Sequence, residues 1–292
     1  MHLLLLITAL IWGANYALIK TVLHELPPPA FNAIRLVVAS AVYQACIAAT
    51  ARTRPTTKEF LQLAAVGFYG QFAYQLCFMN GLARTSVANA SLIIGLTPAA
   101  VALANAVLGL ERLTRLHWIG IAISAVGTYF VVGLDAGMST TSLLGDALTF
   151  GAVIGWTAYT LAAKPLLARH SPLVVTGWAM TFGTLFYLPY AMPTLVAVPW
   201  PSISAGAWFG TVMSALLALN LCYVLWNIGV QRLGSTMTSI YSNVVPVAAV
   251  GSAAIFLDET IGGMKLVGAA LIIGGLLVTA RGGAIDAMPA EE

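Results

Sequence analysis

The sequence predicts an all-α integral membrane protein: ten transmembrane helices, arranged as two inverted five-helix repeats around a central cavity. Three observations predict it. The chain is 60% hydrophobic and 8% charged, against roughly 25% charged in a typical soluble domain. Apolar stretches of about 20 residues, the length that crosses a bilayer, recur along it. The marks of the first half also return in the second. Trp12, Ala14, Lys20 and Pro28 reappear as Trp156, Ala158, Lys164 and Pro172, an offset of 144. Gly81, Arg84, Ser91, Pro98, Glu111, Gly120 and Gly127 reappear as Gly229, Arg232, Ser239, Pro246, Glu259, Gly268 and Gly275, an offset of 148. The change falls between Pro172 and Gly229, where the second copy has the longer loop. Five is odd, so the second copy enters the membrane from the side opposite the first. Inverted halves of this kind predict alternating access about a midplane site.

The expected spans are 3–23, 30–50, 60–82, 87–108, 115–133, 146–167, 172–194, 206–230, 236–257 and 263–281. They make a first repeat over 1–134, a second over 143–283 and a mobile polar tail over 284–292. Their all-round apolar helical pattern argues against a membrane β-barrel.

The first span has no basic region before it and a counterpart around Trp156, so it reads as a retained helix and not a leader. Trp12 and Asn15 are three apart and share a face, with Tyr16 beside them. Trp12 lies near mid-bilayer depth, which weakens its reading as an interface-belt aromatic. In the second span Arg35 lies near one end; with Lys20 and Lys164 it is expected to snorkel to the headgroups. The third span places Gln71, Tyr74, Gln75 and Phe78 on one side of a helix. An amide facing lipid is costly, so this face should look into the bundle or onto water. Hydrogen bonding between helices is the plainer account of the same residues.

Pro98 in the fourth span and Pro246 in the ninth are expected to kink their helices and shape the cavity, although membrane helices also tolerate proline for packing reasons. Gly95 and Asn243 precede them by three residues. In the sixth span Trp156 and Tyr159 share a face. In the eighth, Asn220, Tyr223, Trp226 and Asn227 do so, with Tyr223 the counterpart of Gln75 and Trp226 of Phe78. Tyr241 joins the set on depth alone, as does Trp178, whereas Trp118, Trp200 and Trp208 sit near helix ends and read as belt residues. Gly120 and Gly127, with Gly268 and Gly275, recur seven apart and mark close helix packing at the edge of the bundle.

Glu111 and Glu259 each precede a helix start near Thr114 or Thr260. They are expected to support that helix's N-terminus, or to form an ion pair at each mouth, with Arg112 or Arg115 on one side.

With the N-terminus in the cytoplasm, Arg52, Arg54, Lys58, Arg112, Arg115, Lys164, Arg169, Arg232 and Arg281 fall inside. Lys20, Arg84 and Lys265 fall outside. This bias puts both termini in the cytoplasm. The linker between the halves carries Asp135 and suits the outer face. Cys46, Cys77 and Cys222 lie within spans and read as packing residues, without metal spacing. A net charge of +3 is too small and scattered to imply nucleic acid. No carboxylate lies near the middle of any span, which speaks against a proton relay, and no nucleotide-binding loop is present. No cofactor is expected, and the partners are a small-molecule substrate and the lipid bilayer. An aromatic and amide lining without charge suits a neutral or zwitterionic, partly apolar substrate. A membrane enzyme would need a clustered catalytic set that the sequence does not offer.

One pattern goes further. Thr97-Pro98 leads through Leu110-Glu111-Arg112-Leu113-Thr114 to Ile119-Gly120, and it recurs as Val245-Pro246 through Asp258-Glu259-Thr260 to Val267-Gly268. It resembles the EamA repeat of the drug/metabolite transporter superfamily, and Leu10-Ile11-Trp12-Gly13-Ala14-Asn15-Tyr16 is similar to that repeat's first helix. The resemblance covers nearly the whole chain in two copies. It implies a ten-helix exporter of metabolites in the bacterial inner membrane, most similar to YddG-like exporters of aromatic and other amino acids. Tyr159-Thr160 replaces the Asn15-Tyr16 pair in the second copy, so the two halves need not play equal roles.

Overall fold

A computed structural model of the protein describes residues 1–50, 55–85, 90, 93–130, 143–256 and 263–282. The expectations placed on Arg52, Arg54, Ser91, the linker 134–142, Asp258, Glu259, Thr260 and the tail 284–292 fall outside these residues, as does the side chain of Lys20.

The described chain is helical. Its helices are α1 (His2–Val22), α2 (Pro28–Thr50), α3 (Thr57–Gly67), α4 (Tyr74–Leu82), α5 (Thr97–Val107), α6 (Arg115–Thr128), α7 (Leu143–Leu167), α8 (Pro172–Ala197), α9 (Ala205–Ser214), α10 (Cys222–Leu233), α11 (Ser235–Ser239), α12 (Val244–Phe256) and α13 (Gly263–Arg281). Several starts are written locally. Thr56 accepts from the Glu59 N–H while its own N–H donates to Glu59 Oε2 at 2.8 Å, a capping box for α3. Ser171 and Ser204 cap α8 and α9 through the N–H groups of Val174 and Ala207. Pro28 and Pro172 stand at first helical positions, where a missing N–H costs nothing.

Two joints are not regular α-helix. A π-helical turn, Phe68–Ala73, links α3 to α4, and another, Ala215–Leu221, links α9 to α10. They fall at equivalent places in the two halves, each just before a predicted polar face. The prolines also differ from expectation. Residues 95–96 form a turn and α5 restarts at Thr97; a 3-10 segment, Ile240–Asn243, leads into α12 at Val244. Pro98 and Pro246 therefore occupy the first turns of restarted helices and are not kinks inside continuous ones. In a first turn proline's missing donor has no intrahelical partner to lose.

Four stretches are long and apolar enough by themselves to cross a membrane: His2–Ile19, Pro28–Thr50, Ala205–Leu233 and Gly263–Arg281. Others dilute their apolar run with inward-facing polar groups, such as Gln71, Gln75 and Asn80 over 57–82. Large apolar side chains such as Leu61, Val107, Leu143 and Val196 stand outward, each more than 70% exposed. Water would penalise that surface and lipid would not. The protein is a multi-pass membrane protein.

Helix pairing ties the halves together. The most extensive pairs are α6 with α13 and α2 with α8, and α1 packs on α12 as α7 packs on α5. At the first pair, a Cβ on Gly120 would lie 2.6 Å from the Gly275 carbonyl, and one on Gly127 would lie 2.7 Å from that of Gly268. The two helices thus cross antiparallel, with backbones in contact at the predicted glycines. The core of the bundle is aromatic, built on Tyr43, Trp156, Tyr159, Tyr187, Tyr223 and Trp226.

Candidate functional site: a central cavity closed at one end

Trp12, Asn15 and Tyr16 of α1 open onto a central cavity of about 700 Å³. Arg35 of α2, Tyr74, Gln75, Phe78 and Met79 of α4, Thr97 of α5, Trp156 of α7, and Tyr223 of α10 complete most of its wall. Ala218 and Leu219 from the second π turn, and Ser242 and Val245 at the start of α12, close the remainder. Both halves of the chain therefore supply the lining, and its volume is that of a small-molecule site.

The wall is held by specific contacts. Trp156 meets Trp12 edge-on at 5.4 Å, Tyr223 at 5.2 Å and Trp226 at 5.2 Å. Tyr74 and Phe78 stack at 5.6 Å, and Tyr16 meets Phe78 edge-on. Gln75 Nε2 donates to the Tyr223 hydroxyl at 3.2 Å, joining residues 148 apart in sequence. Trp12 Nε1 donates to the Ala218 carbonyl at 3.1 Å, and Ser214 Oγ donates to Asn15 Oδ1 at 2.6 Å. The Tyr43 hydroxyl lies within bonding distance of the Leu219 and Asn220 carbonyls. A π turn displaces carbonyls from the regular i→i−4 ladder, and here side chains from α1 and α2 meet them.

Of the residues singled out in the sequence, Trp12, Asn15, Tyr74, Gln75, Phe78, Trp156 and Tyr223 line the cavity. Tyr159, Trp226 and Asn227 stand one layer behind it: Asn227 Nδ2 donates to the Tyr159 hydroxyl and to Thr176 Oγ1, both at 2.8 Å. Asn220 points to α2, donating to the Ala39 carbonyl. Gln71 is fully buried against α8, where Gly183 makes room for it. Tyr241 pairs with His2 away from the cavity, and Asn243 is buried beside it without lining it.

Two basic residues correct the sequence reading. Arg35 does not snorkel outward. It is 3% exposed, lines the cavity, stands 5.0 Å over the Phe31 ring and donates through Nη1 to Asn32 Oδ1 at 3.3 Å. The cavity is thus charged, against the expectation of an uncharged lining. Nor does Lys164 reach for headgroups: its Nζ contacts Glu111 Oε1 at 2.7 Å.

Glu111 itself does not serve the helix that follows it. Thr114 and His117 cap α6 between themselves. Gly109, at φ 63°, turns the chain after α5 so that Glu111 reaches across to α11. There it accepts from the N–H groups of Ser235 at 2.7 Å and Thr236 at 3.1 Å, and from Ser235 Oγ at 2.6 Å; Asn105 Nδ2 adds a contact at 3.1 Å. Burial alone would raise the Glu111 carboxyl, but the bonds from Lys164, Ser235 and Thr236 outweigh it and hold it below the ordinary carboxylate value. At the same end, Glu59 meets His170 Nε2 at 3.1 Å and Arg169 at 3.8 Å. The bonds from Thr56 and His170 draw the Glu59 carboxyl down to about 2. These links close the end opposite the cavity.

A helical, multi-pass membrane protein with a substrate-sized polar-aromatic chamber, sealed at one end, has the form of a carrier. Comparison with protein families matches residues 1–133 and 143–281 to the EamA-like transporter family, and the chain belongs to that family. It is 29% identical over 279 residues to a probable terminal-alkyne amino-acid exporter of Streptantibioticus cattleyicolor, covering 95% of this chain and 92% of that one. It is 24% identical over 276 residues to the aromatic amino acid exporter YddG of Ancylobacter novellus, covering 93% and 94%. A crystal structure at 21% identity superimposes with a TM-score of 0.78, covering 95% of this chain and 96% of that one, and shows the same fold.

Proposed function

We propose that this protein exports small metabolites, with amino acids of apolar or aromatic character foremost, across a bacterial inner membrane by alternating access. The single observation that carries the reading is the chamber: both halves line it, and it is closed at one end by the Glu111 and Glu59 links. In this arrangement the substrate is held between the halves, and breaking one seal while forming the other moves it across. The lining contains no Asp, Glu or His, which favours movement down the substrate's own gradient over proton coupling. The exporters among the relatives support the substrate class.

The proposed topology is ten spans in two inverted repeats, 1–134 and 143–283, with both termini cytoplasmic. The separate family matches to each half support it. So does the reciprocity of the α6–α13 contact: Gly120 meets Gly275 and Gly127 meets Gly268, which is the pattern of a two-fold relation. In this orientation the closed end is cytoplasmic and the chamber faces outward.

Proteoliposomes carrying the purified protein test the export reading. Labelled phenylalanine and leucine should leave faster than from protein-free vesicles, with little acceleration by a pH gradient; equal rates would overturn it. Topology is tested by single cysteines in a background lacking Cys46, Cys77 and Cys222. Arg112→Cys and Met264→Cys, both at exposed positions, should be labelled by an impermeant thiol reagent from opposite sides of the membrane.

A further inference from the structure

The cation inside the chamber has no counter-ion in the protein. Among the described residues, no carboxylate lies within 4.0 Å of Arg35. The guanidinium has five N–H donors. One bonds Asn32 Oδ1, the Phe31 ring takes a face, and Nε is buried with no partner. A buried charge left so incompletely satisfied is costly unless something else completes it. The residue sits on a bilayer-spanning helix, where no lipid headgroup is at hand, and the cavity it lines is the open space beside it.

We infer that Arg35 is the anchor for a substrate carboxylate, and that the site selects organic monocarboxylates with an apolar or aromatic body, whether or not they carry an α-amino group. This deepens the export reading and rests on it. The planar fork of a guanidinium matches a carboxylate through two parallel N–H···O bonds. The chamber offers no second cation among its lining residues, so a single negative charge is matched and a phosphate dianion is not. Opposite the anchor, Trp12, Tyr74, Phe78 and Trp156 provide apolar faces. No lining carboxylate is available to an ammonium group. The aromatic faces accept one by cation–π contact, so the amino group is tolerated and not required.

The test uses three probes that share one side chain: phenylalanine, 3-phenylpropanoate and phenylalaninamide. Flux is measured at neutral pH from proteoliposomes against protein-free vesicles. Binding is read separately from the fluorescence of Trp12 and Trp156 in detergent. In the wild type, both acids should move and quench, and the amide should do so at least tenfold more weakly. R35Q should lower both acids at least tenfold while leaving the amide unchanged, and R35K should recover part of the loss. If the glutamine variant does not elute as a folded species, the wild-type comparison of acid with amide decides alone. An amide that matches phenylalanine in flux and quenching overturns the anchor and leaves the export reading standing. Carboxylate-selective quenching without flux keeps the anchor and removes the export reading. No response to any of the three removes both.

Discussion

Trp156 is the hub of the chamber wall, within 5.0–5.4 Å of Tyr74, Tyr159, Tyr223, Trp226 and Trp12. Its removal takes away both a face of the cavity and the ring that separates it from the layer behind. Trp156→Ala should cost about 3–5 kcal/mol of stability and at least tenfold in flux, whereas Trp156→Phe should keep most of the stability and a measurable part of the flux. Thermal unfolding in detergent and vesicle efflux read the two effects. At this scale the sequence revealed facing but not depth. Helical spacing put Gln75, Phe78, Trp156 and Tyr223 on inward faces, and they reach the cavity. The same spacing could not tell that Asn227 and Tyr159 would spend their polar atoms on each other, one layer back. Arg35 was misjudged for a physical reason: a basic residue near a helix end looks like an interface anchor until its neighbours are known. Only the closing of α1, α4 and α7 around it reveals an interior charge.

Among the elements, the α6–α13 pair is the most exacting contact, because it brings backbone to backbone. A Cβ on Gly275 would stand 2.5 Å from the Gly120 carbonyl. Gly120→Val and Gly275→Val should each destabilise the protein by roughly 1–3 kcal/mol through overpacking. Flux per folded molecule should stay near wild type, since neither helix lines the cavity. A variant that loses transport at unchanged melting temperature would overturn this division between packing and site. The glycine spacing made the pair legible in the sequence. The restarts before Pro98 and Pro246 were only half legible: proline signals a broken ladder, but whether a helix bends through the break or begins anew depends on the preceding residues, here a turn at 95–96 and the 3-10 segment Ile240–Asn243.

For the whole molecule, the decisive link is the one from Glu111 to Lys164 and the start of α11. It joins both halves at the closed end, and a carrier has to break it to open there. Removing one partner of such a buried pair costs about 3–5 kcal/mol, with Lys164 partly solvated and so towards the lower value. Glu111→Gln should therefore lower the melting temperature and raise thiol labelling of cysteines placed around the inner mouth. The pH dependence follows in sign. The folded carboxyl lies below its unfolded value of 4.5, so its stabilisation is fully present above that pH and is lost as pH falls through the lower folded value. Melting temperature should thus fall below about pH 4.5, and Glu111→Gln should flatten that part of the curve; an unchanged slope would count against the link. The duplication was plain in the sequence, because offsets of 144 and 148 recur. Which residues the halves exchange was not, because partners such as Glu111 and Ser235 are 124 residues apart and share no local pattern.

The π turns at Phe68–Ala73 and Ala215–Leu221 carry a consequence for how such carriers diversify. Each wide turn accommodates one residue more than a regular coil would. Excising that residue would re-phase the rest of the helix by about 100°, swinging Gln75 and Phe78, or Tyr223 and Trp226, to a different azimuth in a single genetic step. Single-codon deletions, and not only exchanges of side chains, are therefore a ready route by which descendants of this chain acquire new cargo.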